Sequence, residues 1–343
     1  MSLKLDKIVQ FTEYHDPARN FEPVRIPSEV RYDPFTGEGV RVFSLLKSQM
    51  KKYDWEPTVK LSEEGFCPFC PESLEKSTPR FPDRIVPGGR LKIGDAVVIP
   101  NMFPCEPYSG VVVVSPEHYL PMAKIPAYSL NNALKAGFLF LRLVQGYDST
   151  LTVSLNWNYM PHAGGSIIHP HLHAMAGAHP SNYQRALMKS CKRYYDNFGK
   201  NLIREFLKTE IETGERYLGR TGSIHWLASF APRGIADVTA VFEERTVLDD
   251  VTDNDLESFA DGVGRILAFY DRMNLSGFNA AVFPGRSDSE GYWITARLVG
   301  RFVMHPYGGS DMTQYQVLHG VGWSFISPED IARQFVQLFE NRG

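Results

Sequence analysis

Three histidines, His169, His171 and His173, stand at alternate positions in GGSIIHPHLHAMAG, within a 343-residue chain that holds ten histidines. Alternate residues of a β-strand point to one face, so an extended segment lines up three imidazoles in a row. Such a row suits a metal ion, a phosphate or packing alone. One ion on all three is disfavoured, because side chains at i, i+2 and i+4 spread over about 13 Å. A nucleophile beside a residue that orients or protonates it fits better, since a neutral imidazole can attack phosphorus and form a phosphoramidate. Just upstream, HAGGS supplies a glycine turn at Gly164 and Gly165 and the hydroxyl of Ser166. Their N–H groups and Oγ could cradle phosphate oxygens as charge develops.

A second chemical signal is CPFC, with Cys67 and Cys70 making up half of the four cysteines. In a large cytosolic chain this spacing marks a metal knuckle or redox pair more often than a disulfide. Reduced core cysteines are the plain alternative, and no βαβ context favours a thioredoxin-like role. A tetrahedral zinc on two thiolates needs two more ligands; His118 in SPEHYLP and His169 are available. Cys105 and Cys191 read as spectators.

A net charge of −3 gives no electrostatic footprint for nucleic acid or an anionic membrane. The longest apolar run, around GFLFLRLV, is too short to span a bilayer, and the N-terminus lacks the apolar core of a signal peptide. The expected location is cytoplasmic. The acidic stretch EERTVLDDVTDNDLES needs only helix-start chemistry and solvation. His162, His305 and His319 are read mainly as turn or surface residues, His162 with a possible approach to the phosphate.

The elements that must position these residues follow from the hydrophobic pattern. Before Asp95 the chain is rich in Pro, Gly and charge, with a strand-like patch at GVRVFSLL, and reads as an irregular arm. Then come strands at DAVVIP and GVVVVSP, a helix through SLNNALKAGFLFLRLVQGY, the strand LTVSLNWN, a glycine turn and the histidine strand. One long amphipathic helix is predicted from Asn182 to Tyr217. The order then repeats: strands IHWLASFAP and DVTAVFEE, a helix opened by a capping box at Thr252 and Asp255, and strands GFNAAVFPG and GYWITARLVGRFV. In this second copy Thr295, Arg297 and Val299 stand where the first has its histidines. The fold class is therefore α+β, a duplicated unit with the chemistry in one half.

GGSIIHPHLH, preceded by NWNYMPHA, resembles the active-site strand of the galactose-1-phosphate uridylyltransferases and their relatives in the histidine-triad superfamily. RYDPFTGEGVRVFS, CPFC, IPNMFP, VVVVSPEHYLP and GVGWSFISPEDIARQF resemble further family segments in the same order. The resemblance implies a duplicated histidine-triad fold of two antiparallel-sheet halves with packed helices, residues 1–217 catalytic and 218–343 degenerate. It implies zinc on Cys67, Cys70, His118 and His169, with His171 as nucleophile in a ping-pong transfer of a nucleoside monophosphate from a nucleotide sugar to a sugar 1-phosphate or related phosphate. This is the chemistry of a UDP-glucose–hexose-1-phosphate uridylyltransferase. Asn158 and Ser166 fall where the family meets the α-phosphate, Asn101 lies in its nucleotide segment, and Arg31 is a candidate phosphate partner from the arm. A homodimer is the implied assembly.

Three departures bear on substrate. His173 replaces the uridylyltransferase glutamine, as in the hydrolytic branch, so it could protonate a leaving group or assist water. Trp323 and Ser324 replace the hexose-binding tyrosine and acidic residue. WITARLVGRF lacks the histidines of a further metal site. A nucleotide hydrolase or phosphorylase, and a non-catalytic nucleotide-binding protein, stand as alternatives.

Overall fold

Two runs of strands, each interrupted by one long helix, build the centre of the molecule. They are seen in a computed structural model that describes residues 3–43, 50–306 and 308–340. An arm comes first: β1 (Lys7–Asp16), β2 (Glu22–Tyr32), β3 (Gly39–Val42), α1 (Glu56–Glu64) and α2 (Pro71–Ser77). The first half is β4 (Leu91–Ile93), β5 (Ala96–Pro100), β6 (Tyr108–Val113), α3 (Ala127–Tyr147), β7 (Thr152–Tyr159) and β8 (His171–Gly177). After α4 (Asn182–Phe198) and α5 (Leu202–Thr213) come β9 (Tyr217–Thr221), β10 (Ile224–Ala228), β11 (Ile235–Phe242), α6 (Asp253–Arg272), β12 (Gly277–Phe283) and β13 (Thr295–Arg301). A tail follows with β14 (Val303–Met304), β15 (Gly309–Ser310), α7 (Gln314–Val317), β16 (Gly322–Ser324) and α8 (Pro328–Glu340).

The ten strands β4 to β13 form one sheet in the order β4-β5-β6-β8-β7-β12-β13-β11-β10-β9, with every pairing antiparallel. Read inward from either edge, each half runs first, second, third, fifth and fourth strand. The two fourth strands, β7 and β12, meet in the middle with Asn158 opposite Asn279. The duplication expected from sequence is thus present in the topology. So is the capping box of α6: the Asp255 N–H donates to Thr252 Oγ1 and the Thr252 N–H donates to Asp255 Oδ2.

Strand alternation divides the sheet into two faces. On one, Val112, Leu155, Trp157, Leu172, Trp226 and Leu298 pack against Leu130, Leu134 and Phe138 of α3 and Phe259, Val263 and Ile266 of α6, forming the main core. Each such fully buried side chain contributes about 1.5–3 kcal/mol. The other face is covered at its two ends. Cys67, Phe69 and Leu74 lie on Ile99, Val111 and Val113, while α4 and α5 lie on Leu227 and Val241 of the second half. Over the middle strands this face stays open.

Three expectations change. The chain before Asp95 is more ordered than an irregular arm: β1 and β2 form a long hairpin, β3 pairs with β2, and β16 joins β3 in parallel. The patch GVRVFSLL is a strand over Gly39–Val42, and its residues 44–46 lie outside those described. The helix expected from Asn182 to Tyr217 is two helices. Gly199 ends α4 in the left-handed region at φ 62°, and the Asn201 side chain accepts from the Arg204 N–H to start α5. Among the described residues, no helix is long and apolar enough to cross a membrane.

Candidate active site

Strand β8 begins at His171 rather than His169, so the three histidines do not share one flat ladder. His171 lies opposite Val113 and His173 opposite Val111, on the sheet face that the knuckle covers at this end. His169, fully buried before Pro170, turns instead toward the cysteines of the knuckle.

There Cys67, Cys70, His118 and His169 place one ligand atom each within 4.8 Å of one another. His169 Nδ1 is 3.7 Å from both sulfurs, and His118 Nδ1 is 3.2 Å from Cys70 Sγ. A tetrahedral zinc with ordinary bond lengths sets sulfur and nitrogen about 3.6 Å apart. Each Nε2 is held on the outside, His169 by the Ser115 carbonyl at 2.8 Å and His118 by Ser62 Oγ at 2.9 Å. Such outer bonds fix the tautomer in which Nδ1 faces a metal. Burial and the adjacent Cys67 thiol push the Cys70 thiol up to about 12, so two thiolates here call for a cation between them. Donor set and spacing fit a metal ion.

His171 is 4% exposed, and its Nδ1–H donates to the His169 carbonyl at 2.8 Å. Nδ1 is therefore the protonated nitrogen and Nε2 carries the free lone pair. Burial lowers its pKa to about 4, so the ring is neutral near pH 7. Phe69, between the two cysteines, packs edge-on against His169 and His171 at 6.1 and 5.2 Å between centroids. His173 stands 5.0 Å from His171, centroid to centroid, and burial lowers its pKa as well.

Register carries this face across the central strands. Asn156 lies opposite His173, Asn158 opposite Asn279, and Ala281 opposite Arg297. Directly opposed residues share a face. Asn156, Asn158, Tyr183, Asn279 and Phe283 line a cleft of about 340 Å³ there. The turn after β7 rises at its edge, with Gly164 at φ 93° and 3.8 Å between the position of an added Cβ and the Asn158 amide. The Gly164 N–H donates to the Pro161 carbonyl and the Gly165 N–H to the Met160 carbonyl, so these two amides close the turn rather than cradle a phosphate. Gly165 is needed for close approach, since a Cβ would sit 3.0 Å from the Asn158 carbonyl oxygen. Ser166 lies exposed beyond the turn.

Asn101 caps its own loop: Oδ1 accepts from the Phe103 N–H and Nδ2 faces Ser109 Oγ at 3.4 Å. Arg31 does not join the site. It is wholly buried, with its guanidinium bonded to Glu29, Glu329 and the Phe230 carbonyl, which leaves it no role as a phosphate partner. His162, read from sequence mainly as solvent-facing, is stacked on Trp55 at 5.4 Å, with neither ring nitrogen hydrogen-bonded. Phe69, Asn156 and Asn279 were not singled out in the sequence. Phe69 sits inside the CPFC motif and was open to notice, whereas Asn279 reaches the site only through the pairing of the two halves.

No protein-family model matches the chain. A protein of Archaeoglobus fulgidus described as uncharacterized is 30% identical over 312 residues, covering 91% of this chain and 92% of that protein. Among solved structures, an ADP-glucose phosphorylase from Arabidopsis thaliana with bound ADP-glucose superposes with TM-score 0.69 at 16% identity, over 90% of this chain and 99% of the other. A uridylyltransferase superposes with TM-score 0.67 at 18% identity, over 91% and 98%. The chain belongs to one family with the Archaeoglobus fulgidus protein, and it shares the fold of the ADP-glucose phosphorylase and the uridylyltransferase.

Proposed function

We propose that the protein is a nucleotidyltransferase that carries a nucleoside monophosphate on His171, taking it from a nucleotide sugar and giving it to a phosphate acceptor. The observation that carries this reading is the His171 ring itself: neutral, with Nδ1–H tied to the His169 carbonyl and Nε2 left as the free base. Nε2 attacks the α-phosphorus, the bond from phosphorus to the β-phosphate oxygen breaks, and a sugar 1-phosphate leaves with that electron pair. An acceptor phosphate oxygen then attacks the same phosphorus, and the P–N bond breaks to restore the imidazole. Ser166 and Asn158 meet the phosphate oxygens.

Cys67, Cys70, His118 and His169 are the residues that hold zinc. Bound there, it supplies charge to neutralise the thiolates and anchors the segment bearing the His169 carbonyl. The protein acts as a homodimer in the cytoplasm.

Intact-protein mass spectrometry after brief mixing with ADP-glucose or UDP-glucose tests the reading. A one-nucleotide mass increase is expected in the wild type and none in His171→Asn, a loss of at least about a thousandfold in labelling rate. A labelled variant would take the role from His171.

A second reading, phosphorolysis or hydrolysis of the nucleotide compound, is favoured by His173 beside His171. An imidazole there can give a proton to the leaving group or take one from an incoming oxygen. The products separate the cases: nucleoside diphosphate with inorganic phosphate as acceptor, nucleoside monophosphate with water, or a new nucleotide sugar with a sugar 1-phosphate.

A further inference from the structure

The two sides of the Asn158 amide differ in what they can bind. One side presents Oδ1, an acceptor, and the other presents Nδ2, a donor. Only the donor side suits a phosphate. Which side faces the cleft is decided by Asn279, directly across the central strand pair.

Asn279 has no freedom of orientation. Its neighbours include a fixed donor, the Arg301 guanidinium, and a fixed acceptor, the Ala163 carbonyl. Arg301 Nη1 donates to Asn279 Oδ1 at 2.5 Å, and Asn279 Nδ2 donates to the Ala163 oxygen at 2.8 Å. The same Nδ2 also donates to Asn158 at 2.7 Å, so the Asn158 atom facing it must be Oδ1. Asn158 Nδ2 is thereby turned outward along the glycine turn, 3.8 Å from where a Cβ on Gly164 would stand. Among the described residues it has no hydrogen-bond partner, and Asn158 lines the cleft. Behind Asn279, Arg301 is itself fixed: it is 7% exposed, pairs with Asp311 through Nε at 2.7 Å, and donates through Nη2 to Ser310 Oγ at 2.9 Å.

We infer that Asn279, held by Arg301 and Asp311 of the second half, is a positioning residue that sets the polarity of Asn158 so that its Nδ2–H faces the substrate phosphate. The second half thus serves a reaction whose nucleophile lies in the first. The inference rests on the nucleotidyl-transfer reading for the identity of the anion, and its test is arranged so that the two can fail separately.

The discriminating pair is Asn279→Asp and Asn279→Ala. The carboxylate introduced by the first keeps the volume and the Arg301 pair, but has no N–H for Asn158. Asn158 then turns its Nδ2 inward and offers Oδ1, an acceptor, to the phosphate. The alanine variant loses the Arg301 partner but imposes no orientation on Asn158. A structural role makes alanine the worse change; a polarity role makes aspartate the worse one. We expect Asn279→Asp to slow labelling of His171 by ADP-glucose or UDP-glucose about 10- to 100-fold, the scale of one hydrogen bond to a charged phosphate, and Asn279→Ala to slow it less. On an Asn158→Ala background the aspartate should cost nothing further, because coupled residues do not add.

Alanine slower than aspartate, or an undiminished aspartate effect on that background, would overturn the inference. If wild type takes no label from either donor, the transfer reading fails, and calorimetry then decides the positioning role. AMP should bind Asn279→Asp more weakly than wild type while adenosine binds both equally; equal AMP affinity would remove it.

Discussion

Strands β8 and β13 hold the same place in the two halves, each lying between the third and fourth strands of its own unit. β8 carries His171 and His173, two neutral imidazoles, with His173 opposite Asn156 of the cleft. Its counterpart carries Arg297, whose guanidinium is closed off by Asp33 at 2.9 Å, Asp237 at 2.5 Å and the Ala231 carbonyl at 3.0 Å. Among the described residues, the first half leaves His171 Nε2 and Asn158 Nδ2 without hydrogen-bond partners, with only the Nδ1 side of His171 tied down. The second pairs Arg297 with buried carboxylates and ties the arm, through Asp33, to the sheet. The two copies of the strand differ in kind: one holds a ring nitrogen with a free lone pair, and the other uses its charge in internal bonds.

The comparison breaks first at the metal. Chelation, or Cys70→Ala, should remove one zinc per chain by elemental analysis and cut His171 labelling about 10- to 100-fold, as loss of an outer anchor does. Hydrogen exchange should rise around α2 and His169 while β9 to β11 stay protected. Equal loosening of both halves would show that the knuckle supports the whole sheet. Next in size, Arg297→Met should cost about 3–5 kcal/mol, because it leaves Asp33 and Asp237 buried without their cation. Denaturant melts measure that, and labelling per folded molecule should be unchanged. A labelling defect without a stability defect would give the second strand a chemical part.

The smallest effect belongs to His162, at the seam between the halves. Burial lowers its pKa to about 4, against about 6.5 in an unfolded chain. As pH falls, the unfolded state takes up the proton first. The stability from this site is therefore complete above about pH 6.5 and is lost on descending toward about pH 4. His162→Phe keeps the stack on Trp55 and removes two unpaired nitrogens. It should gain about 1 kcal/mol at neutral pH and more at about pH 5. A gain independent of pH would mean that the ring finds a protonated-state partner.

Much of the site could be read from the chain because its parts are local and chemically distinctive. The Cys-x-x-Cys knuckle, the alternate histidines and the capping box at Thr252 each lie within a few residues of sequence, and the repeated strand order exposed the duplication. The arm was harder to read. Both faces of β1 are exposed, so it carries no alternation for a strand to be recognised by. The role of Arg31 is set by Phe230 and Glu329, both distant in sequence. The break between α4 and α5 did leave a local mark in Gly199 and Asn201, but the helical spacing on either side concealed it. Asn279 left none, because an asparagine in a strand takes its meaning from what lies opposite.

The pairing of Arg31 with Glu329 has a consequence for how the protein is made. One carboxylate receives Arg31, Arg216 and Lys7 at 2.7 to 3.0 Å, and β16, a few residues before it, pairs with β3 to complete the arm sheet. A ribosome releases the arm early and the residues that finish it nearly three hundred positions later, with loop-closure entropy opposing the meeting. The pairing of β16 with β3, unlike the local hairpin of β1 and β2, must therefore wait until the chain is almost complete. A chain cut short of Glu329 would bury two arginines without their shared anion, so nascent chains that stop early mark themselves as unstable.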